Sequence, residues 1–227
     1  MKNSSKSLLT TTIRAASLLA TVAGAHASTI LIDFSGATSE PGVADGNGNR
    51  WTTIGTAGTT SNLIDATGAV TLTDITVEFT QFSAGYGGNG IDGPAGPAPF
   101  DQSFAVVDGI FSSRTIGVAT ATFSNLALDT PYDLSMIGGR ATVGVDGTIE
   151  VTTGTGSGGT LLNDGTVLDL TVVSNSLGQI AFTFTDFDDD NTNGATLNAM
   201  SLTQVPEPGM SVLLALSGLL IVVRRRA

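Results

Sequence analysis

Cysteine is absent from this 227-residue chain, which excludes disulfides, a thiol nucleophile and a thiolate metal site. Histidine occurs once, as His26, in a segment that export would remove. The rest of the chain therefore cannot assemble a Ser-His-Asp triad, a Cys-His pair or a histidine zinc site. Lysine is confined to Lys2 and Lys6. Between Ser28 and Val205 nineteen Asp and Glu residues stand against three basic ones, Arg50, Arg114 and Arg140, so this stretch carries a net charge of −16 where the whole chain carries −11. Such a surface has nothing to offer a phosphate backbone, which excludes nucleic acid as a partner, and it resists anionic lipid heads. Carboxylates are the catalytic resource that remains, as in glycoside hydrolysis, which needs two of them at a defined separation.

What the chain does have is an apolar segment near each end. Lys2, Lys6 and Arg14 make a basic start, Ala15 to Ala25 an apolar middle, and Ala25-His26-Ala27 a small-x-small cleavage site before Ser28. This order reads as a secretory signal peptide over residues 1–27, and its apolar core is too short to read as a permanent anchor. Residues 205–227 form the second segment. Gly209 to Val223 contains no charge and only two polar residues, Ser211 and Ser217, before Arg224, Arg225 and Arg226 end it. As a helix these 15 residues span roughly 22 Å, short of a ~30 Å hydrocarbon core. Terminal arginines belong on the cytoplasmic side, which places everything before Val205 outside the cytoplasm.

Pro206, Glu207 and Pro208, followed by a short apolar segment and an arginine cluster, resemble the PEP-CTERM sorting signal of exported Gram-negative bacterial proteins. The resemblance covers about a tenth of the chain. It implies handling by the secretion machinery and by an exosortase-like membrane protease that cuts near the motif. It suggests a destination and no activity.

The body, residues 28–204, has the length of one domain and the composition of β-sheet: rich in Thr, Gly and Val, with Gly and Asn every few residues. Thr29 to Phe34 predicts a strand with Ile30, Ile32 and Phe34 on one face and Leu31 on the other. Arg50 to Ile54, Ala69 to Phe82, Phe104 to Phe111, Thr115 to Leu126 and Tyr132 to Met136 continue the series, followed by Val167 to Val173, Gln179 to Thr185 and Thr196 to Thr203. Val70 and Leu72 are out of phase with Ile75, Val77 and Phe79, which predicts a bulge or turn near Thr73-Asp74. Asp146-Gly147 between two β-prone runs predicts a two-residue hairpin turn. Glu40 to Asn49, Gly85 to Pro99 and Thr153 to Thr160 read as loops.

About ten short strands with no helical period define an all-β fold, a single antiparallel β-sandwich of jelly-roll type. Ile30 to Phe34, Leu126 to Leu134 running into Gly138-Gly139-Arg140, and Thr196 to Leu202 resemble landmarks of galactose-binding-like jelly rolls. No ligand site follows from that resemblance.

Asp189, Asn191 and Asn193 with Gly194 match the first half of a D-x-N-x-N-G calcium loop, because calcium needs several converging oxygens. The bidentate Glu expected six residues later is Met200, so calcium would need another loop to complete its shell. Asp45 to Asn49 is a poorer version of the same pattern and reads as a turn. Trp51, Tyr86 and Tyr132 could stack on a sugar ring, with burial the alternative for Trp51. Arg114 and Arg140 would pair with carboxylates or bind an acidic sugar. The expected function is non-enzymatic: an exported module contacting extracellular polysaccharide or serving as structure. The alternatives are a carbohydrate-binding protein in the strict sense and a carboxylate-based glycosidase.

Overall fold

The computed structural model describes residues 27–34, 41–55, 57–80, 82–86, 96–101, 109–112, 118–139, 146–186 and 195–206. The signal peptide expected over residues 1–27, apart from Ala27, and the apolar segment expected over 209–223 lie outside these residues. Ser28–Val205 forms one compact unit. Its strands are β1 (Thr29–Phe34), β2 (Pro41–Ala44), β3 (Arg50–Ile54), β4 (Gly58–Thr60), β5 (Asp74–Thr80), β6 (Phe82–Tyr86), β7 (Gly109–Ser112) and β8 (Val118–Ser124). They continue as β9 (Pro131–Gly139), β10 (Gly147–Thr153), β11 (Thr155–Gly156), β12 (Gly159–Leu161), β13 (Asp164–Val173), β14 (Ile180–Asp186), β15 (Thr196–Leu197) and β16 (Ala199–Gln204).

These strands make an all-β sandwich. A seven-stranded sheet runs β11-β13-β9-β16-β1-β3-β2, a six-stranded sheet runs β12-β10-β14-β8-β5-β4, and a small third sheet runs β15-β7-β6. Pairing is antiparallel throughout except between β1 and β3. Alternation explains the burial. On β9, Tyr132, Leu134 and Met136 enter the main core while Asp133 faces water, and on β8 Ala119, Ala121 and Phe123 do the same between half-buried Val118, Thr120 and Thr122. Ile30, Ile32 and Phe34 also lie in this core, packed with Ile75, Phe182 and Phe184.

The seven-stranded sheet is buried on its other face too. Leu31, Trp51, Ile137 and Ala199 form a smaller core there, closed by Phe100 from the 96–101 segment. This is why β1 and β3 are almost wholly buried instead of alternating.

Several sequence expectations need correction. Ala69 to Phe82 is not one strand: β5 starts at Asp74, Val70 and Leu72 are exposed, and β6 follows separately. The phase change therefore marks a strand boundary. Pro41–Ala44 and Gly159–Leu161 lie in stretches read as loops, yet both pair as strands, with β3 and β10 respectively. Gly85 and Tyr86 belong to β6, not to a loop. Thr196 to Thr203 is broken at Asn198, whose N–H donates to the Ile137 carbonyl and whose side-chain Oδ1 accepts the Gly139 N–H. Asp146-Gly147 is no hairpin turn. Gly147 is a strand residue that opposes Leu161 on one side and Asp186 on the other, and residues 142–145 lie outside the described residues.

The two ends of the body are neighbours. Thr29 pairs with Thr203 in register, their hydroxyls 2.9 Å apart, and the Gln204 N–H donates to the Ser28 carbonyl. The Val205 N–H donates to the Pro131 carbonyl at 3.0 Å, and exposed Pro206 follows outside any strand. Chain entry and chain exit thus share one end of the sandwich.

Candidate functional site

Three loops shape the end of the sandwich where the chain enters and leaves. In the first, residues 62–73, the Asp65 carboxylate accepts the Thr67 and Ala69 N–H groups, and Leu63 and Thr73 exchange a backbone bond across it. Burial alone would raise the Asp65 pKa, but the Thr67 hydroxyl, donating at 2.6 Å, together with these N–H groups holds the carboxyl below its ordinary range. The second loop, 125–130, begins with Asn125 in the left-handed region at φ 61°, a conformation Asn tolerates, and its amide reaches Asp74 Oδ2 at 3.1 Å. Tyr132 fixes this loop from below: its hydroxyl accepts the Ala127 N–H at 3.0 Å, in the manner of a tyrosine corner. In the third loop Asn175 caps the Leu177 and Gln179 N–H groups, and Gly178 accepts the Leu126 N–H.

A half-open cavity of about 210 Å³ lies among them. Its polar lining comes from Ser28, Thr71, Thr73, Asn125 and Gln204, and its apolar lining from Ile30, Leu126 and Leu202, with Tyr132 between. The Ser28 hydroxyl is buried without a hydrogen-bond partner among the described residues. Among the described residues no carboxylate lines this cavity. The arrangement can accept an uncharged molecule with hydroxyl groups. Of its lining, sequence reading singles out Tyr132 alone, and it missed the cavity because the other residues come from positions as far apart as 28 and 204.

The residues singled out from sequence are scattered. Trp51 is fully buried, its Nε1–H donating to Asp45 Oδ2 at 3.1 Å and its ring meeting Phe100 edge-on at 6.3 Å between centroids. Its indole face is core packing and offers a sugar no surface, because both faces of β3 are covered. Asp45 also accepts the Asn47 and Asn49 N–H groups and the Asn49 amide. Burial would raise its pKa, but these four bonds outweigh it and the carboxyl lies below its usual range. The Asp45 to Asn49 segment is therefore a turn closed on its own carboxylate.

Tyr86 lies in β6 opposite Gly109, and its side chain falls outside the described residues. Asp189, Asn191, Asn193, Arg114 and Arg140 also fall outside them, as do Ala25, Glu207, Pro208 and Arg224 to Arg226. Ala27 and Pro206 are exposed at the chain's entry and exit. Among the described residues no group of three or more acidic or histidine side chains is placed to hold a metal.

No protein-family model and no curated protein matches the chain. Among solved structures, a plant receptor-like kinase, FER, is similar at a TM-score of 0.45 and 14% identity, over 79% of this chain and 42% of that one. The CBM51 module of Clostridium perfringens GH95, solved with methyl-galactose, is similar at a TM-score of 0.31 and 16% identity, over 55% of this chain and 94% of the module. At these scores neither likeness bears on a ligand. The class rests on the strands themselves: an all-β sandwich with an open end lined by neutral polar groups.

Proposed function

We propose that this is an exported, non-enzymatic β-sandwich module. It is held briefly at the inner membrane by its tail, sorted through Pro206-Glu207-Pro208 by an exosortase-like protease, and destined for the cell surface or extracellular polymer. There it serves as a structural or carbohydrate-contacting unit. The observation that carries the reading is how the body ends. Its last backbone bond is made by Val205, and the next residue is an exposed proline without an N–H. A protease could therefore take the motif as extended chain without unfolding the sandwich. The neutral lining of the cavity suits a polyhydroxylated ligand better than an anion, which the surrounding carboxylates would repel. Intact mass tests the sorting step, measured on membrane and medium fractions of the native host beside a variant with Pro206→Ala, Glu207→Ala and Pro208→Ala. The expected result is a native mass ending near the motif and a variant kept at full length in the membrane. A native mass running through Ala227 would refute it.

A further inference from the structure

Among the described residues five large aliphatic side chains are well exposed: Val70 at 71%, Leu72 at 77%, Leu128 at 61%, Leu162 at 37% and Leu177 at 72%. Four of them sit at one end. Val70 and Leu72 flank Thr71, which lines the cavity together with Thr73, and Leu128 follows Ala127, which lines it from the second loop. Leu177 occupies the third loop, bound to the second through the Leu126 N–H to Gly178 carbonyl and Asp129 N–H to Asn175 carbonyl bonds. Only Leu162, the least exposed of the five, lies at the opposite end, between β12 and β13. The four mark the end where Ser28 and Val205 meet.

Exposed aliphatics scattered singly need no explanation, but a cluster on otherwise polar loops does. Chain length indicates what covers it. Three residues, Pro206 to Pro208, separate Val205 from the apolar run that starts at Gly209. Two of them are prolines, which favour an extended segment of about 3.1 Å per residue, so the spacer reaches only about 10 Å. The headgroup layer beside a ~30 Å hydrocarbon core is itself several ångströms deep. With that run inserted in a bilayer, as the proposed function has it, a tether this short would keep this end of the body beside the headgroups.

We propose that the loops bearing Val70, Leu72, Leu128 and Leu177 form a membrane-contacting surface, seating the body on the interface of a neutral or zwitterionic bilayer while the tail is uncut. The inference rests on tail anchoring as read above. Asp65 and Asp129 lie on the same loops and Asp74 opens the strand that follows the first, so the contact is hydrophobic and weakens on anionic lipid. The cavity opens at this surface too, so release of the tail would uncover both together.

The cysteine-free chain permits a direct test. Leu128→Cys, Leu177→Cys and, as a control, Leu162→Cys are each labelled with an environment-sensitive fluorophore in the full chain. They are reconstituted in vesicles of phosphatidylcholine and phosphatidylethanolamine carrying a lipid-borne nitroxide quencher. The expected result is flotation with the vesicles, blue-shifted and quenched labels at 128 and 177, and a water-like, unquenched label at 162. Flotation with all three labels water-like would overturn the inference and leave anchoring intact. Failure to float would overturn anchoring and, with it, the inference. A blue shift without quenching would assign the surface to a second copy of the chain and also overturn the proposal.

Discussion

Gly147 decides between two physical accounts of one dipeptide. As a turn residue, its glycine would be needed for backbone conformation. In the sandwich it is a strand residue between β12 and β14, and a Cβ added there would overlap the Phe184 ring from the diagonal position on β14. Overpacking of this kind costs about 1–3 kcal/mol. Alanine in a strand interior recovers about 0.5–1 kcal/mol over glycine, so Gly147→Ala alone should lose up to about 2.5 kcal/mol. The sign should change in a Phe184→Leu background. Leucine lacks the ring atoms in question, the overlap goes, and the alanine should then stabilise by about 0.5–1 kcal/mol. The double-mutant cycle therefore predicts a coupling of about 1–3 kcal/mol between sites that are not neighbours in sequence. Urea unfolding followed by the fluorescence of the single, buried Trp51 measures all four corners. An equal loss from Gly147→Ala in both backgrounds would refute the packing account and restore a backbone one.

The other predictions concern carboxylates and loops. Asp45, Asp65 and Asp164 all titrate below their ordinary value of 3.8 when folded, Asp164 chiefly through bonds from Thr166. Their stabilisation is complete above the unfolded pKa and is lost as pH falls through the lower folded values. Thermal melts should therefore drop steeply only below about pH 4. Asp45→Asn should flatten part of that slope and cost about 1 kcal/mol at neutral pH; an unchanged acid limb would count against the four-bond account. Gly178 has φ 68° and no room for a Cβ against the Leu126 carbonyl. Gly178→Ala should cost about 1–3 kcal/mol, roughly 2–9 °C of Tm by calorimetry, and a neutral result would mean that the loops are not locked together.

The strands that could be read from the sequence were those rich in β-branched and aromatic residues between clear turn signals. Thr29–Phe34 and Arg50–Ile54 were legible to the residue, and Tyr132, Leu134 and Met136 alternate as expected. Strands whose own residues argue against β structure were not legible. Pro41–Ala44 carries a proline and a glycine and is a strand because β3 offers it an edge. Gly147 reads as a turn glycine because nothing local shows that Phe184 will lie over it. The fate of Trp51 was likewise undecided locally: burial required a second core on the outer face, supplied by Phe100 nearly fifty residues away. The cavity is the extreme case, since its lining joins both ends of the body with two internal loops.

The acidity of the body has a structural origin in the loops, and this changes what it says about partners. Asp45, Asp65 and Asp164 each accept N–H groups within their own turns. Asp74 takes the Asn62 N–H and Asp146 the Asn163 N–H across a connection. Asp133 and Asp169 accept Thr171 and Ser135 hydroxyls across the β9–β13 pair. A sandwich of many short strands needs many tight connections, and Asp supplies them by replacing a backbone acceptor with its side chain. A carboxylate engaged in this way has fewer lone pairs left for a cation, so a high acidic count among these residues argues for turn-making and not for a metal store. Among the described residues the carboxylates lie in loops at both ends, as Asp65 and Asp129 at one and Asp146 and Asp164 at the other, and on strands, as Asp133 and Asp169. What sets one end apart is therefore not charge but its four exposed aliphatic side chains and the neutral cavity among them, at the point where the chain leaves the fold.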